Sequence, residues 1–314
     1  MKKKILITGG NGFLGRSLAI KLRKKNKIFL GSRNNGENYS ASLETNTEFV
    51  PMDVANINSV RDAVMRIKPD TIIHAAATKF VDLSEKFPFE CIDTNVLGSS
   101  NVSRVAMEFK VKNVIGISTD KAAQPIGNLY GFTKGIMERI FLSSNYLSKT
   151  KFICLRFGNI AWSTGSVFPI WKNMFKKNKI ILTTGPYMRR FFFTIDEAVD
   201  FVNFALINKN KFSGKILCPE MKSVQIINIL KYWIKKNGGK FKIINKRAGD
   251  KEDEILVGKN ELKNTYVFKT KKQNYYVIDP YNSNKNIIKK EISSKNAKKM
   301  NEKEIKKILD KGLS

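Results

Sequence analysis

The segment that most limits what this chain can fold into lies at its start. Ile5-Leu6-Ile7-Thr8 is a short apolar run that breaks into Gly9-Gly10-Asn11-Gly12 and resumes as the helix-like Phe13-Leu14-Gly15. Glycines three apart, between a strand and a helix, have a specific use. Gly9 permits the tight turn, Gly12 lets a pyrophosphate approach the backbone, and Gly15 lets the helix pack close to the strand. The helix start offers free N–H groups and a positive dipole end to phosphates. Gly9, Asn11, Gly12, Phe13, Leu14 and Gly15 are therefore read as a dinucleotide cradle.

The first half continues in the same style. β-rich runs at 4–8, 28–31, 48–50, 71–74, 114–118 and 152–157 alternate with helix-like stretches near 13–25, 57–67, 89–110 and 128–147. Further helices are expected near 196–208, 223–237 and 302–309. Strands alternating with amphipathic helices predict an α/β chain, a Rossmann-like doubly wound parallel sheet with a smaller, partly interleaved C-terminal substrate domain. The second strand ends in Ser32-Arg33, where an NAD site usually carries an acid. Arg suits a 2′-phosphate, so NADP is favoured over NAD. Asp53 and Val54 follow the third strand, where Asp53 can reach an adenine edge or cap a helix. Residues 1–160 are read as the NADP-binding domain, with 195–215 packing back onto it. Residues 161–314, mainly 161–194 and 216–314, are read as the substrate-binding domain.

Charge bears on partners. Lys and Arg number 57 against 27 Asp and Glu, a net charge of +30. Such an excess points first to nucleic acid or a membrane surface. Only 11 of the 57 are Arg, which leaves 46 Lys, whereas phosphate and base readers favour the planar fork of Arg. Lysines without a motif read as solvated surface that steers anionic ligands. No nucleic-acid partner and no membrane partner is expected. Three cysteines without a CxxC spacing and a single histidine, His74, leave no disulfide scaffold and no metal site. The apolar run after Lys2-Lys3-Lys4 is too short for a signal peptide, and no window approaches the ~18 apolar residues of a membrane span. The chain is expected to be cytoplasmic and a homo-oligomer.

Chemistry concentrates after the fifth strand. That strand ends in Ser118-Thr119-Asp120-Lys121, at the sheet edge where ligands bind. Tyr130 and Lys134 follow at i and i+4, on one helix face. Lys134, aided by an oxidised nicotinamide, would lower the Tyr130 pKa and let the phenol take a proton from a sugar hydroxyl. His74, at the end of an apolar strand, reads as structural or as part of the cofactor loop.

Several stretches resemble the extended short-chain dehydrogenases/reductases, and among them the inverting UDP-N-acetylglucosamine 4,6-dehydratases of polysaccharide and flagellin-sugar pathways. They are 73–79, 94–98, Ser118-Thr119-Asp120-Lys121-Ala122-Ala123-Gln124-Pro125, 156–159, 165–169, 190–192, 247–251 with Glu254, and 281–283. The resemblance covers nearly the whole chain. It implies oxidation of a nucleotide sugar at C4, elimination of water across C5 and C6, and hydride return to C6. Tyr130 would assist at C4, with Thr119 bonding the developing oxyanion; Lys121, depressed in a closed site beside other cations, would be the base at C5, and Asp120, raised by burial, the acid at C6. Ala75, Ala76, Ala77, Asn95 and Ser118 would join the cofactor site. Lys79, Asn159, Ser166, Val167, Arg190, Arg247 and Glu254 would contact the substrate, UDP-N-acetylglucosamine. The sequence departs from the family's common residues at Asp82, Thr164, Tyr187 and Arg189, and carries one extra residue near Gly127. An epimerase or reductase on the same fold, and a non-catalytic NADP-binding regulator, are the alternatives.

Overall fold

The computed structural model describes residues 2–245, 250–282 and 287–310. Six parallel strands, β1 (Lys3–Thr8), β2 (Asn26–Ser32), β3 (Glu48–Pro51), β4 (Thr71–His74), β5 (Asn113–Thr119) and β6 (Lys151–Phe157), lie in the order 3-2-1-4-5-6. This is the doubly wound order, and its reversal between β1 and β4 opens a crevice at the carboxyl ends of the strands. Lys215–Pro219 pairs parallel to β6, and Asn274–Ile278 and Thr265–Lys269 complete a nine-stranded sheet in antiparallel sense. Strands covered on both faces need unbroken apolar runs. Ile5-Leu6-Ile7, Val114-Ile115 and Phe152-Ile153-Cys154-Leu155 supply them, and all are buried. The expected doubly wound α/β fold is the one found.

Local signals explain the helix starts that matter for the site. Asn128 caps the helix Leu129–Leu147 by accepting the Gly131 N–H at 2.8 Å. Thr194 and Glu197 form a reciprocal capping box for Ile195–Ile207, which packs on Phe13–Leu22. The single helix expected over 89–110 is instead broken into Pro88–Ile92, a π turn at Asp93–Leu97, and Gly98–Glu108, with a separate short helix, Val81–Lys86, before it. Pro88, lacking an N–H, starts a new helix rather than continuing one. The π turn lies where Asn95 is buried, a common use of such bulges. The polar helix Asn35–Thr45 has no apolar period to betray it; an Asn34 cap and buried Ala41 hold it. Ser223–Gln225, expected as helix, is a strand beside Arg189–Phe193.

A second apolar cluster, around Phe168, Trp171, Phe192, Trp233 and Leu309, forms the core of a smaller lobe. Residues 161–314 are not confined to that lobe. The strands at 215–219, 265–269 and 274–278 extend the large sheet, because their apolar residues bury against β6 and the main core. Among the described residues no helix is long and apolar enough to cross a membrane.

Candidate active site

A cavity of about 560 Å³ lies at the carboxyl ends of the parallel strands, bordered by both lobes. The glycine turn lines one end of it with Gly9, Asn11, Gly12, Phe13, Leu14 and Gly15. Gly9 has a φ of 66°, and a Cβ there would meet Ala76 N at 2.8 Å, so no other residue fits. At Gly12 only Gly9 O, at 3.1 Å, stands near the missing Cβ, and the helix Phe13–Leu22 begins there with no side-chain cap. A diphosphate fits this cradle, because its oxygens can reach the uncapped N–H groups. Ala75, Ala76 and Ala77 line the facing side.

His74 anchors that alanine strip. Ser99 donates to the Asn95 carbonyl, so its oxygen accepts from His74 Nε2 at 3.1 Å. His74 Nδ1 then accepts from Thr8 Oγ1 at 2.9 Å, and Thr8 Oγ1 accepts the Ala76 N–H at 3.2 Å. Burial, then the Lys134 charge, lowers the imidazole to about 3. The ring is neutral, fully bonded and structural. The unfolded chain binds a proton at this residue below about pH 6.5, which the folded protein refuses until near pH 3. Stability is therefore full above that unfolded value and falls by about 1.4 kcal/mol per pH unit beneath it. His74 is the only histidine. Urea melts at pH 7 and 5.5 should show the drop in the wild type and a flatter response in His74→Asn.

Of the other residues read as cofactor contacts, Ser32, Arg33, Asp53, Val54 and Asn95 lie outside the cavity lining. Ser32 donates its hydroxyl to Asn38, and Arg33 is exposed, 4.0 Å from Glu90. Asp53 accepts the Ala55 N–H at 3.0 Å, while Asn56, not Asp53, caps the next helix. Val54 is buried against Gly98. Asn95 accepts the Thr78 N–H and donates to Thr78 O and Thr133 Oγ1, so it ties the alanine strip to the helix Leu129–Leu147.

At the cavity centre the end of β5 meets that helix. Ser118, Thr119, Lys121, Tyr130 and Lys134 line the space, and Asp120 lies buried directly behind. Lys121 Nζ stands 3.0 Å from Asp120 Oδ1 and 3.1 Å from Glu254 Oε1. Burial raises the Asp120 carboxyl, against the pull of Lys121, and its Oδ2 is buried without a hydrogen-bond partner among the described residues. The depressed Lys121 expected from the sequence is not found. Burial would lower it, but Asp120 and Glu254 outweigh burial and hold the ammonium above its ordinary value. Tyr130 is pushed up to about 12 by burial, despite Lys121 nearby and a bond to Thr119. Lys134 is lowered to about 8 by burial, with Met137 Sδ its neighbour at 3.3 Å.

The substrate candidates converge from both lobes. Lys79, Asn159, Ser166, Val167, Arg190 and Glu254 all line the cavity. Burial lowers the Lys79 ammonium. Ser166 Oγ is buried without a hydrogen-bond partner among the described residues. Arg190 donates to Lys251 O at 2.8 Å, and its Nε stands 3.6 Å from Glu254. Arg247 lies outside the described residues. Asp82 and Thr164 line the cavity, whereas Tyr187 is exposed and Arg189 pairs with Asp253 at 2.5 Å, both away from the lining. The loop around Gly127 is pinned where Lys251 donates to the Pro125 carbonyl.

A buried network beneath the site was not anticipated. Arg156, 1% exposed, bonds Glu138 at 2.6 Å and 2.9 Å and Glu261 at 2.8 Å and 2.9 Å. Ser118 donates to Glu138 at 2.5 Å, which joins the network to the end of β5. The signal available in the sequence is the spacing of Tyr130, Lys134 and Glu138, one helix face in steps of four.

Comparison with known proteins places this architecture. A family model described as "Polysaccharide biosynthesis protein" matches residues 5–279. An uncharacterized membrane protein of Methanocaldococcus jannaschii is 36% identical, over 98% of this chain and 95% of its own. An inverting UDP-N-acetylglucosamine 4,6-dehydratase of Campylobacter jejuni is 35% identical, over 88% of this chain and 83% of its own. The X-ray structure of Pen from Bacillus thuringiensis superposes with a TM-score of 0.89 at 28% identity, covering 99% of this chain and 98% of that one.

Proposed function

Because this chain belongs to the polysaccharide biosynthesis protein family, an extended short-chain dehydrogenase/reductase group, we propose that it is an NADP-dependent nucleotide-sugar 4,6-dehydratase acting on UDP-N-acetylglucosamine. The observation that carries this reading is the Asp120–Lys121 pair, a buried acid 3.0 Å from an amine that lines the cavity together with Tyr130 and the glycine cradle. Residues 1–160, with 195–215, would serve the dinucleotide. The smaller lobe, with Glu254, would serve the sugar nucleotide.

NADP, when bound, supplies the hydride acceptor and donor that the sugar needs. Gly9, Gly12 and the helix start at Phe13 would hold its diphosphate, Ala75–Ala77 would flank it, and Arg33 would meet the 2′-phosphate. Tyr130 accepts the proton of the C4 hydroxyl, with Thr119 bonded to the phenol oxygen. The free protein keeps this phenol protonated, so its basicity has to come from positive charge brought close to it. Lys134 supplies part of that charge. The ketone formed at C4 acidifies the C5 proton.

Elimination needs a neutral amine and a protonated carboxyl side by side. Moving one proton from Lys121 Nζ to Asp120 Oδ1 produces both forms from the ion pair. A substrate that covers Lys121 removes its residual water contact, and losing that solvation disfavours the charged pair. Lys121 then takes the C5 proton, and Asp120 gives its proton to the departing C6 hydroxyl, which leaves as water. Lys79 and Arg190 face the substrate's diphosphate.

The protein incubated with UDP-N-acetylglucosamine and NADP should release one water per sugar, seen by mass spectrometry, with no net consumption of cofactor. An unchanged mass with altered stereochemistry would mark an epimerase. Stoichiometric use of NADPH would mark a reductase.

A further inference from the structure

The lysine excess is not scattered over the nucleotide-binding half. Residues 1–160 contain sixteen lysines, and eleven of them stand in the turns and first residues that lead into parallel strands. They are Lys2, Lys3 and Lys4 at β1, Lys24, Lys25 and Lys27 at β2, Lys68 before β4, Lys110 and Lys112 at β5, and Lys149 and Lys151 at β6. A bias of composition alone would load the exposed helix faces equally, yet of the remaining five only Lys21 and Lys86 lie outside the cavity lining.

Strand register gathers these turns into one edge. Lys4 is level with Lys27, Ile5 with Thr71, Thr71 with Asn113, and Asn113 with Lys151. Lys215 continues the row beside β6, with Lys209 and Lys211 in the turn before it. Burial, then Lys3, Lys151 and Lys112, lowers the Lys209 ammonium, so these charges are close enough to repel one another. The acids of the edge are already engaged, Asp70 with Lys112 at 2.7 Å and Glu48 with Lys27 at 2.7 Å. Most of the lysines are exposed. Two of the most exposed large apolar side chains stand among them: Leu147 is 77% exposed at the helix end before Lys149, and Ile207 is 73% exposed at the helix end before Lys209.

We propose that this amino-terminal edge of the sheet docks on an anionic lipid bilayer. Its row of lysines would meet the headgroups, and Leu147 and Ile207 would enter the headgroup boundary. Lysine-rich surfaces with a few apolar tips suit a diffuse layer of lipid phosphate. Nucleic-acid readers lean on Arg forks, and this edge holds only two arginines among its many lysines: Arg23, whose guanidinium donates to Thr45 O, and Arg66 at the helix end before Lys68. The edge lies opposite the cavity, about one strand length away, roughly 20 Å. A docked molecule would thus keep its active site open to solvent.

Co-sedimentation with phosphatidylcholine vesicles, with and without phosphatidylglycerol, tests this. The wild type should bind only the phosphatidylglycerol vesicles and release them as salt rises. Lys25→Glu, Lys110→Glu and Lys149→Glu together should weaken partitioning by at least about a hundredfold. Lys176→Glu, Lys177→Glu and Lys231→Glu, the same charge change on the smaller lobe, should cost far less. Leu147→Ser with Ile207→Ser should weaken binding without changing its salt response. Melting temperatures check folding, and Lys24→Glu with Lys68→Glu replaces the first triple if it melts early. No binding to phosphatidylglycerol vesicles at low salt, equal binding to neutral vesicles, or equal losses in the two triples would overturn the proposal. So would binding to duplex DNA, lost in the first triple, with no vesicle binding.

Discussion

Lys121→Ala should abolish water loss while leaving the cofactor bound. The effect on dehydration is expected at roughly 10²- to 10⁴-fold, the range of a positioned acid–base group. The variant separates two half-reactions. Tyr130, Thr119 and Lys134 remain, so oxidation at C4 continues, and reduced nicotinamide should accumulate with the 4-keto sugar instead of turning over. A spectrum showing reduced cofactor, with no change of sugar mass beyond loss of two hydrogens, is the expected signature. The substitution also strips the cation from Asp120 and Glu254, both buried. Part of any loss could then reflect a disturbed site, so Lys121→Met, which keeps the volume, should be measured beside it. Asp120→Asn should show the same block from the acid side, because the amide cannot protonate the leaving hydroxyl. Unchanged dehydration in Lys121→Ala would remove this residue from the mechanism.

Much of this site was legible in the sequence because its signals are local. The glycine turn, the end of β5 and the Tyr130–Lys134 spacing each occupy a few consecutive residues, and local periodicity is what a sequence displays. What was not legible depends on partners far apart in the chain. Glu254 reaches Lys121 from 133 positions away, and that contact reverses the direction in which the amine's pKa moves. Burial of Lys121 and its neighbour Asp120 were foreseeable; the second carboxylate beside it, Glu254, was not. The basic edge has the same character. Each turn shows only one to three lysines, and only the register shows that they share one face. The π turn that buries Asn95 is likewise invisible in a helical pattern, since it changes the backbone and not the apolar spacing.

The largest expected loss of stability comes from the network beneath the site. Arg156→Ala should destabilise the fold by about 3–5 kcal/mol, because it leaves Glu138 and Glu261 buried without their shared cation. Burial alone would raise the Glu261 carboxyl; Arg156 reverses this and holds it below the ordinary value. Removing the guanidinium removes that opposition, so the folded-state pKa of Glu261 should move above its unfolded value. A raised carboxyl favours folding when protonated, which sets the sign: the deficit of the variant should be largest at neutral pH and shrink as pH falls through the raised value. Urea melts of wild type and variant at pH 7 and 5 measure this directly. A deficit that stays constant, or grows on acidification, would mean that lost packing and not unpaired charge is responsible. Activity should fall further than stability predicts. Glu138, no longer held by Arg156, also accepts from Ser118, two residues before Asp120, and a small shift there misplaces the acid. Arg156→Lys restores one charge but not the two-sided fork, and should recover part of the stability and little of the turnover.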